Sequence, residues 1–301
     1  MTHWPDVAVL GAGNMGGALV ARLREHAISV SVCDPDRQRQ AEALAVGAQV
    51  LNTPRAAVQN LGIDGVVLIV VVNDTQCEDV LWGEHGAAAV LQVGHTVVLC
   101  PTMAPEVVAS IAERLATMGV ACVDAPMSGG PLRARAGTMS WMLAAPATVF
   151  ARHKVLWDVL ANPVFHVSER CGDGSRTKLV NNLLAGINLV GAAEVLVLAE
   201  RMGLNVHTTM DVIERSSGQS WIGSDRMRRA LRGDLAPLAH VTLLEKDTGL
   251  AMAEAQRVGF EGPLAASATA VFAQTRQAGW ADHDDGSVLA YLRGDAPPAK
   301  P

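Results

Sequence analysis

The sequence predicts an α/β chain: a doubly wound, mainly parallel sheet in the first half, a long interdomain helix, and an all-α second half. Three observations carry this. Short apolar runs alternate with helix-like stretches through the first half, and the glycine-rich run Gly11-Ala12-Gly13-Asn14-Met15-Gly16 falls between one such run and a helix. Beyond Val164 the strand-like runs disappear and helical spacing rich in Ala, Leu, Met and Glu takes over. The domains are therefore drawn at 1–163 and 164–301.

Val7-Ala8-Val9-Leu10 is a short apolar run, and Leu19, Val20 and Leu23 recur at helical spacing after the glycines, which reads strand, tight turn, helix. Residues 29–33 form a second strand with Asp34 at its end, and 38–46 the next helix. Residues 66–72 are apolar without alternation, as expected of a parallel strand covered on both faces. Residues 96–100 and 121–124 supply further strands, separated by a helical stretch at 105–118. In the second half Asp173 and Ser175 can cap a helix that continues to about Met202, on the order of 40 Å long. Apolar on most sides, it needs partners all round, from both domains or from a second subunit. The Pro-rich tail 296–301 is expected to fray.

Half of the 301 residues are hydrophobic and 18% are charged, which excludes a disordered chain. A net charge of −6 argues against a nucleic-acid or anionic-membrane surface and leaves a small molecule as the expected partner. The five cysteines are odd in number, scattered and free of Cys-x-x-Cys pairs, which suits buried thiols in a reducing cytoplasm. The first residues lack a basic segment followed by an apolar one, so no secretory signal is expected. Residues 179–198 are long enough to suggest a membrane span, but Asn181, Asn182, Asn188 and Glu194 interrupt them, and a buried helix is the simpler reading. The nine histidines show no metal-ligand spacing; His283 with Asp282, Asp284 and Asp285 reads as a solvated loop, so no metal is expected. The six tryptophans are scattered and assigned to core or edge packing.

Gly11, Gly13 and Gly16 stand where a dinucleotide-binding turn requires them, for the tight turn, for approach of backbone amides to a pyrophosphate, and for close helix-to-strand packing. The first half is thus Rossmann-type. Asp34, eighteen residues after Gly16, can bond both hydroxyls of an adenosine ribose and would repel a 2′-phosphate. NAD is favoured over NADP, although Arg37 and Arg39 are close enough in sequence to offer a phosphate some compensation. Ser128-Gly129-Gly130, after a strand, can present a hydroxyl and consecutive backbone amides to a carboxylate, or form a plain turn. Lys178 sits in an otherwise apolar helix downstream of these motifs. Poor solvation disfavours its ammonium and makes it a candidate general acid/base.

Through four ordered blocks (Gly11 to Gly16, Asp124 to Met139, Gly172 to Asn182, and Lys246-Asp247) the chain resembles the β-hydroxyacid dehydrogenase family over nearly its whole length. That family includes 3-hydroxyisobutyrate dehydrogenase, tartronate semialdehyde reductase and L-threonate dehydrogenase. The resemblance implies that Lys178 is the catalytic lysine and that Asn182, one helical turn later, orients the substrate. It implies that Ser128, Gly129 and Gly130 hold the substrate carboxylate, that Lys246 lies beside the nicotinamide, and that Val72, Asn73 and Thr102 line the cofactor with Gly11, Ala12, Gly13, Asn14, Met15, Gly16 and Asp34. A homodimer or homotetramer is implied as well. Arg133 departs from the family pattern and places an extra cation near the pocket mouth.

The expected reaction is hydride transfer between NAD and a small hydroxy acid, with neutral Lys178 taking the hydroxyl proton during oxidation and its ammonium returning one in reduction. The segment Ser216 to Trp221 is similar to that of threonate- and tartronate-type members, so a four-carbon sugar acid such as threonate or erythronate ranks first. Tartronate semialdehyde (2-hydroxy-3-oxopropionate) and 3-hydroxyisobutyrate rank next. More remote readings are an imine reductase, which typically lacks a lysine at the Lys178 position, and a non-catalytic NAD-binding sensor.

Overall fold

The computed structural model describes residues 4–234 and 236–298, so part of the tail expected to fray lies outside the described residues. The chain divides into two compact units, Met1–Lys178 and Leu179–Pro301. In the first, the strands are β1 (Val7–Leu10), β2 (Val30–Cys33), β3 (Gln49–Val50), β4 (Val66–Ile69), β5 (Thr96–Leu99), β6 (Ala121–Asp124), β7 (Met127–Ser128), β8 (Ser140–Ala144) and β9 (Val164–Ser168). They form one sheet in the order β3-β2-β1-β4-β5-β6-β8-β7, with β9 on β8. The first six are parallel throughout, which is the doubly wound dinucleotide-binding order. Strand β8 runs antiparallel to β6 and β7.

The helices α1 (Asn14–Glu25), α2 (Arg37–Ala45), α3 (Pro54–Val58), α4 (Asp74–Trp82) and α5 (Pro105–Thr117) connect the parallel strands. Strands β1 and β4 are buried on both faces because these helices cover both. Val7, Val9, Val66 and Leu68 pack with Leu19, Val20 and Leu23 of α1; Ala8, Leu10, Val67 and Ile69 pack with Leu81 of α4 and Val108, Ile111 and Leu115 of α5. The helices α6 (Gly130–Ala136), α7 (Ala147–Arg152) and α8 (Lys154–Leu160) follow, then α9 (Asp173–Arg201), which runs through the boundary between the units.

The structure departs from the sequence reading in three places here. The sheet continues past residue 163, because Val164–Ser168 pairs in parallel with β8. Strand β4 ends at Ile69 rather than at 72: Val70 N still donates to Leu10 O at 2.8 Å, but Val72 N turns to the Gln76 side chain at 2.8 Å. The strands β3, β7 and β8 were not foreseen, the first two being only two residues long.

The second unit is helical: the rest of α9, then α10 (Val206–Glu214), α11 (Trp221–Leu231), α12 (Val241–Arg257), α13 (Pro263–Thr275) and α14 (Val288–Arg293). Its core gathers Leu189, Ala193 and Leu196 of α9 with Met227, Val241, Phe272 and Trp280. Among the described residues α9 is the helix long and apolar enough, by length and composition, to cross a membrane, and part of that apolar surface is spent on this core.

Within the 282–285 segment Asp282 is exposed and His283 half-buried, as a solvated loop would have them, but Asp284 and Asp285 are not. Asp284 and Asp285 are almost wholly buried, against Arg226 and Arg229 of α11: Arg226 Nε donates to Asp285 Oδ1 at 2.5 Å and Arg229 Nη1 to Asp284 Oδ2 at 3.0 Å. Leu238 N and Gly286 N also donate to Asp284. Burial, opposed by Arg226, pushes the Asp285 carboxyl up to about 7. A carboxyl raised above its unfolded value binds a proton more tightly in the native state, so its contribution to stability is present at low pH and is lost as pH rises through about 7. Thermal melting between about pH 5 and 8 should show that decline, and Asp285→Asn should flatten it. An unchanged pH slope in this variant would show that the dependence arises elsewhere.

Candidate active site

Cys33, Leu10, Ile69, Leu99 and Asp124 align in one row across β2, β1, β4, β5 and β6. Everything that leaves the sheet just past this row lies along the carboxyl edge of the parallel strands, where open α/β sheets bind ligands at a reversal of strand order. The reversal here lies between β1 and β4. Gly11, Asp34, Val72, Asn73 and Thr102 all follow this row in the chain, so the topology brings together segments that the sequence spreads over some ninety residues.

The glycines of the first turn have separate reasons. Gly11 has φ +96°, and a Cβ there would stand 2.4 Å from Val70 O; a Cβ on Gly16 would stand 1.9 Å from Gly11 O. Both are required by the turn itself. A Cβ on Gly13 would meet nothing within 4 Å, and Gly13 caps α1 without any side-chain hydrogen bond. The amides of the first turn of α1 are thus left without a side-chain cap beside open space, which fits a dinucleotide pyrophosphate.

Asp34 is buried and oriented by two backbone donors: Ala12 N to Oδ2 at 2.6 Å and Asp36 N to Oδ1 at 2.8 Å. It ties the glycine turn to the end of β2. Arg39, one of the two cations that could attract a 2′-phosphate, bonds Asn14 Oδ1 at 2.9 Å and Glu42 at 3.0 Å. Asn73 accepts from Gln76 N at 2.9 Å as the cap of α4 and so shapes the turn after β4. Thr102 is half-buried between β5 and α5.

At the far side of the row, Ser128 ends β7, and Gly129 and Gly130 follow with φ +125° and +75°. Two successive residues in that region explain the glycine pair. Arg133 folds back over this turn: its Nε donates to Thr138 O at 3.0 Å, and its Cδ lies 3.1 Å from where a Gly129 Cβ would be.

Lys178 is buried, with 8% of its surface exposed, in the second turn of α9. The start of that helix is clamped to the sheet by Asp124, which is wholly buried at the end of β6. Its Oδ2 accepts from Gly172 N at 2.8 Å and Ser175 N at 2.9 Å, and its Oδ1 from the Ser175 hydroxyl at 2.9 Å. Burial raises the Asp124 carboxyl above its usual range, and the Ser175 and Gly172 donors oppose the rise. The Ser175 hydroxyl, expected to cap α9, serves this clamp instead. A Cβ on Gly174 would lie 3.0 Å from the Asp124 carboxylate, so the clamp also needs a glycine there.

In the second unit, Asn182 and Asp247 are both buried, and Asn182 Nδ2 donates to Asp247 Oδ2 at 2.6 Å. Asn181 Nδ2 donates to Asn182 Oδ1 at 3.0 Å, which fixes the amide's orientation and leaves one Nδ2 hydrogen for another acceptor. Lys246 Nζ lies 3.2 Å from Asp247 Oδ1, within ion-pair distance although Oδ1 makes no well-aligned hydrogen bond. Sequence reasoning gave no role to Asp124 or Asp247. Asp247 had a visible signal: Leu244, Asp247, Thr248 and Ala251 form one buried stripe of α12, where a carboxylate is out of place without a partner.

The five cysteines are unpaired, and no group of His, Cys, Asp and Glu suited to a metal occurs among the described residues. Residues 6–168 match the family model described as the NAD binding domain of 6-phosphogluconate dehydrogenase. Residues 172–292 match that described as NAD-binding of NADP-dependent 3-hydroxyisobutyrate dehydrogenase. The chain is 34% identical to an L-threonate dehydrogenase of Cupriavidus necator, with 98% of each chain covered. It is also 34% identical to a 3-hydroxyisobutyrate dehydrogenase of Pseudomonas aeruginosa, over 96% of this chain and 99% of the other. A crystal structure of a 3-hydroxyisobutyrate dehydrogenase from Salmonella typhimurium superposes with a TM-score of 0.88 at 31% identity, covering 95% of this chain and 99% of that one.

Proposed function

The chain belongs to the β-hydroxyacid dehydrogenase family and is an NAD-dependent hydroxyacid dehydrogenase, and on that premise we propose that it acts on a four-carbon sugar acid of the threonate type, with Lys178 as general acid/base. The observation that carries the residue assignment is the buried Lys178 on a helix clamped by Asp124 to the same sheet edge that bears the glycine turn. The choice of acid rests on the run of L-threonate dehydrogenases among the relatives, at 32–34% identity.

Bound NAD supplies the hydride acceptor. Lys178 takes the proton of the substrate hydroxyl during oxidation and returns one to the forming alkoxide in reduction. Ser128, Gly129 and Gly130 hold the carboxylate, and Asn182 offers its remaining amide hydrogen to the reacting oxygen. Lys246 serves the nicotinamide side of the cofactor; Gly11 to Gly16, Asp34, Val72, Asn73 and Thr102 serve the rest. We also assign the chain to the cytoplasm, as a homodimer or homotetramer. In support of an oligomer, Val180, Leu184, Val195 and Leu198 form an exposed apolar stripe along α9.

Formation of NADH with L-threonate, erythronate and 3-hydroxyisobutyrate, and its consumption with tartronate semialdehyde, tests the substrate. The highest kcat/KM is expected with L-threonate or erythronate; a clear preference for either of the other two acids would replace the sugar-acid reading. Asp34, held by two backbone donors, should give a kcat/KM at least about tenfold higher with NAD than with NADP. The reverse ratio would overturn the role given to Asp34. Ser128→Ala should raise KM for the acid by about tenfold with little change in kcat, as loss of a ground-state contact does. A constant KM across the panel would remove Ser128 from the carboxylate site.

A further inference from the structure

Alternation along β6 directs Cys122 to the same face as Asp124. Each meets a neighbouring residue of the loop before α9: Asp124 holds Gly172, and Cys122 meets Cys171. Cys171 Sγ donates to Cys122 O at 3.5 Å and to Ala144 O at 3.7 Å, which sets the Cys171 thiol against Cys122 itself. Cys122 is buried and Cys171 is partly exposed.

We propose that Cys122 and Cys171 form an oxidative modification site that reacts with low-molecular-weight disulfides and closes to an intramolecular disulfide beside the anchor of α9. Cys171 is the attacking group: it is the more exposed of the two, and the neighbouring Cys122 thiol lowers it below the usual thiol range, while Cys171 and burial raise Cys122. The Cys171 thiolate attacks one sulfur of the external disulfide and expels the first thiolate. Cys122 then gives up its proton and attacks Cys171 Sγ in the mixed disulfide, expelling the second. The two protein thiols lose two electrons and two protons in all, and the external disulfide is reduced to two thiols.

The remaining cysteines are poorer candidates. Cys77 and Cys100 are buried, with Cys77 pushed up to about 12 by burial, and half-buried Cys33 is pushed up to about 11 by burial and by Asp34. Closure draws Cys171 toward β6, and the next residue, Gly172, is one of the donors that Asp124 holds. The expected consequence is a displaced α9 start and slower turnover.

The test is incubation of the full chain with glutathione disulfide, followed by non-reducing peptide mapping and by assay before and after dithiothreitol. A Cys122–Cys171 linked peptide should accumulate, and Cys171→Ser should abolish it while slowing total thiol loss by about tenfold. A stable glutathione adduct on Cys171 without the cross-link, or preferential linkage of another pair, would overturn the site. The cross-link is read by mass and needs no substrate, so it stands or falls separately from the dehydrogenase reading, on which only the effect on turnover rests. With an acid that is turned over, the rate should fall severalfold on cross-linking and recover with dithiothreitol; a cross-linked enzyme of undiminished rate would reject the regulatory role.

Discussion

Lys178→Ala is expected to lower kcat by about a hundred- to ten-thousand-fold, the range that a positioned general acid/base contributes. The dissociation constant for NAD should stay within about twofold, because the role proposed for the residue is on the transferring proton, with the dinucleotide assigned to other segments. Lys178 is buried, so its truncation also leaves a cavity, and loss of activity alone would not separate chemistry from packing. Lys178→Met keeps most of the volume and removes the amine. It should be as inactive as the alanine variant while melting close to the parent protein. Small alkylamines in the buffer should restore part of the rate to Lys178→Ala, which has room for them, and none to Lys178→Met. NADH fluorescence titration and steady-state assay with the best acid of the panel supply both readouts. A Lys178→Met enzyme with near-normal kcat would remove Lys178 from the chemistry.

The features legible in the sequence are those whose cause is local. The glycine turn could be read because strand, turn and helix are contiguous, and Gly11 and Gly16 are required by atoms within the same βα unit or just past the end of the neighbouring strand. Burial of the parallel strands on both faces produces unbroken apolar runs, so β1, β4 and β5 were legible too. What could not be read depends on partners distant in sequence. The antiparallel turn at β7 and β8 is made by tertiary pairing, through two register pairs and Trp141 Nε1 donating to Ala125 O at 2.6 Å, and a two-residue strand has no periodicity. Asp284 and Asp285 look like loop residues because Arg226, their neutralising partner, is 59 positions away from Asp285. The same holds at the site. Lys178 was visible as a cation among apolar residues, whereas the clamp that places it joins Asp124 to Ser175 across 51 positions.

Asp124→Ala should produce the second large effect, and comparison with Asp124→Asn distinguishes geometry from charge. The alanine variant removes three hydrogen bonds at once and leaves the buried amides of Gly172 and Ser175 without their acceptor, at about 1–3 kcal/mol for each. The start of α9 then loses its tether to β6, and kcat should drop by about tenfold to a hundredfold from misplacement of Lys178 alone. Binding of NAD should change little, since the glycine turn is built on β1 and on Asp34 at the end of β2. Asparagine can rebuild the clamp. Its amide oxygen can take the two backbone donors now on Oδ2, and its amide nitrogen can donate to the Ser175 hydroxyl, which turns from donor to acceptor. Burial disfavours the charged form of Asp124, so the native state binds its proton more tightly than the unfolded chain does, and that part of the stability is lost as pH rises. The neutral amide avoids this penalty, so Asp124→Asn should melt no lower than the parent at neutral pH, with kcat largely retained. Melting curves and kcat for the two variants give the answer together: if asparagine failed as badly as alanine in a folded enzyme, the carboxylate's charge, and not its grip on the helix, would be what Lys178 depends on.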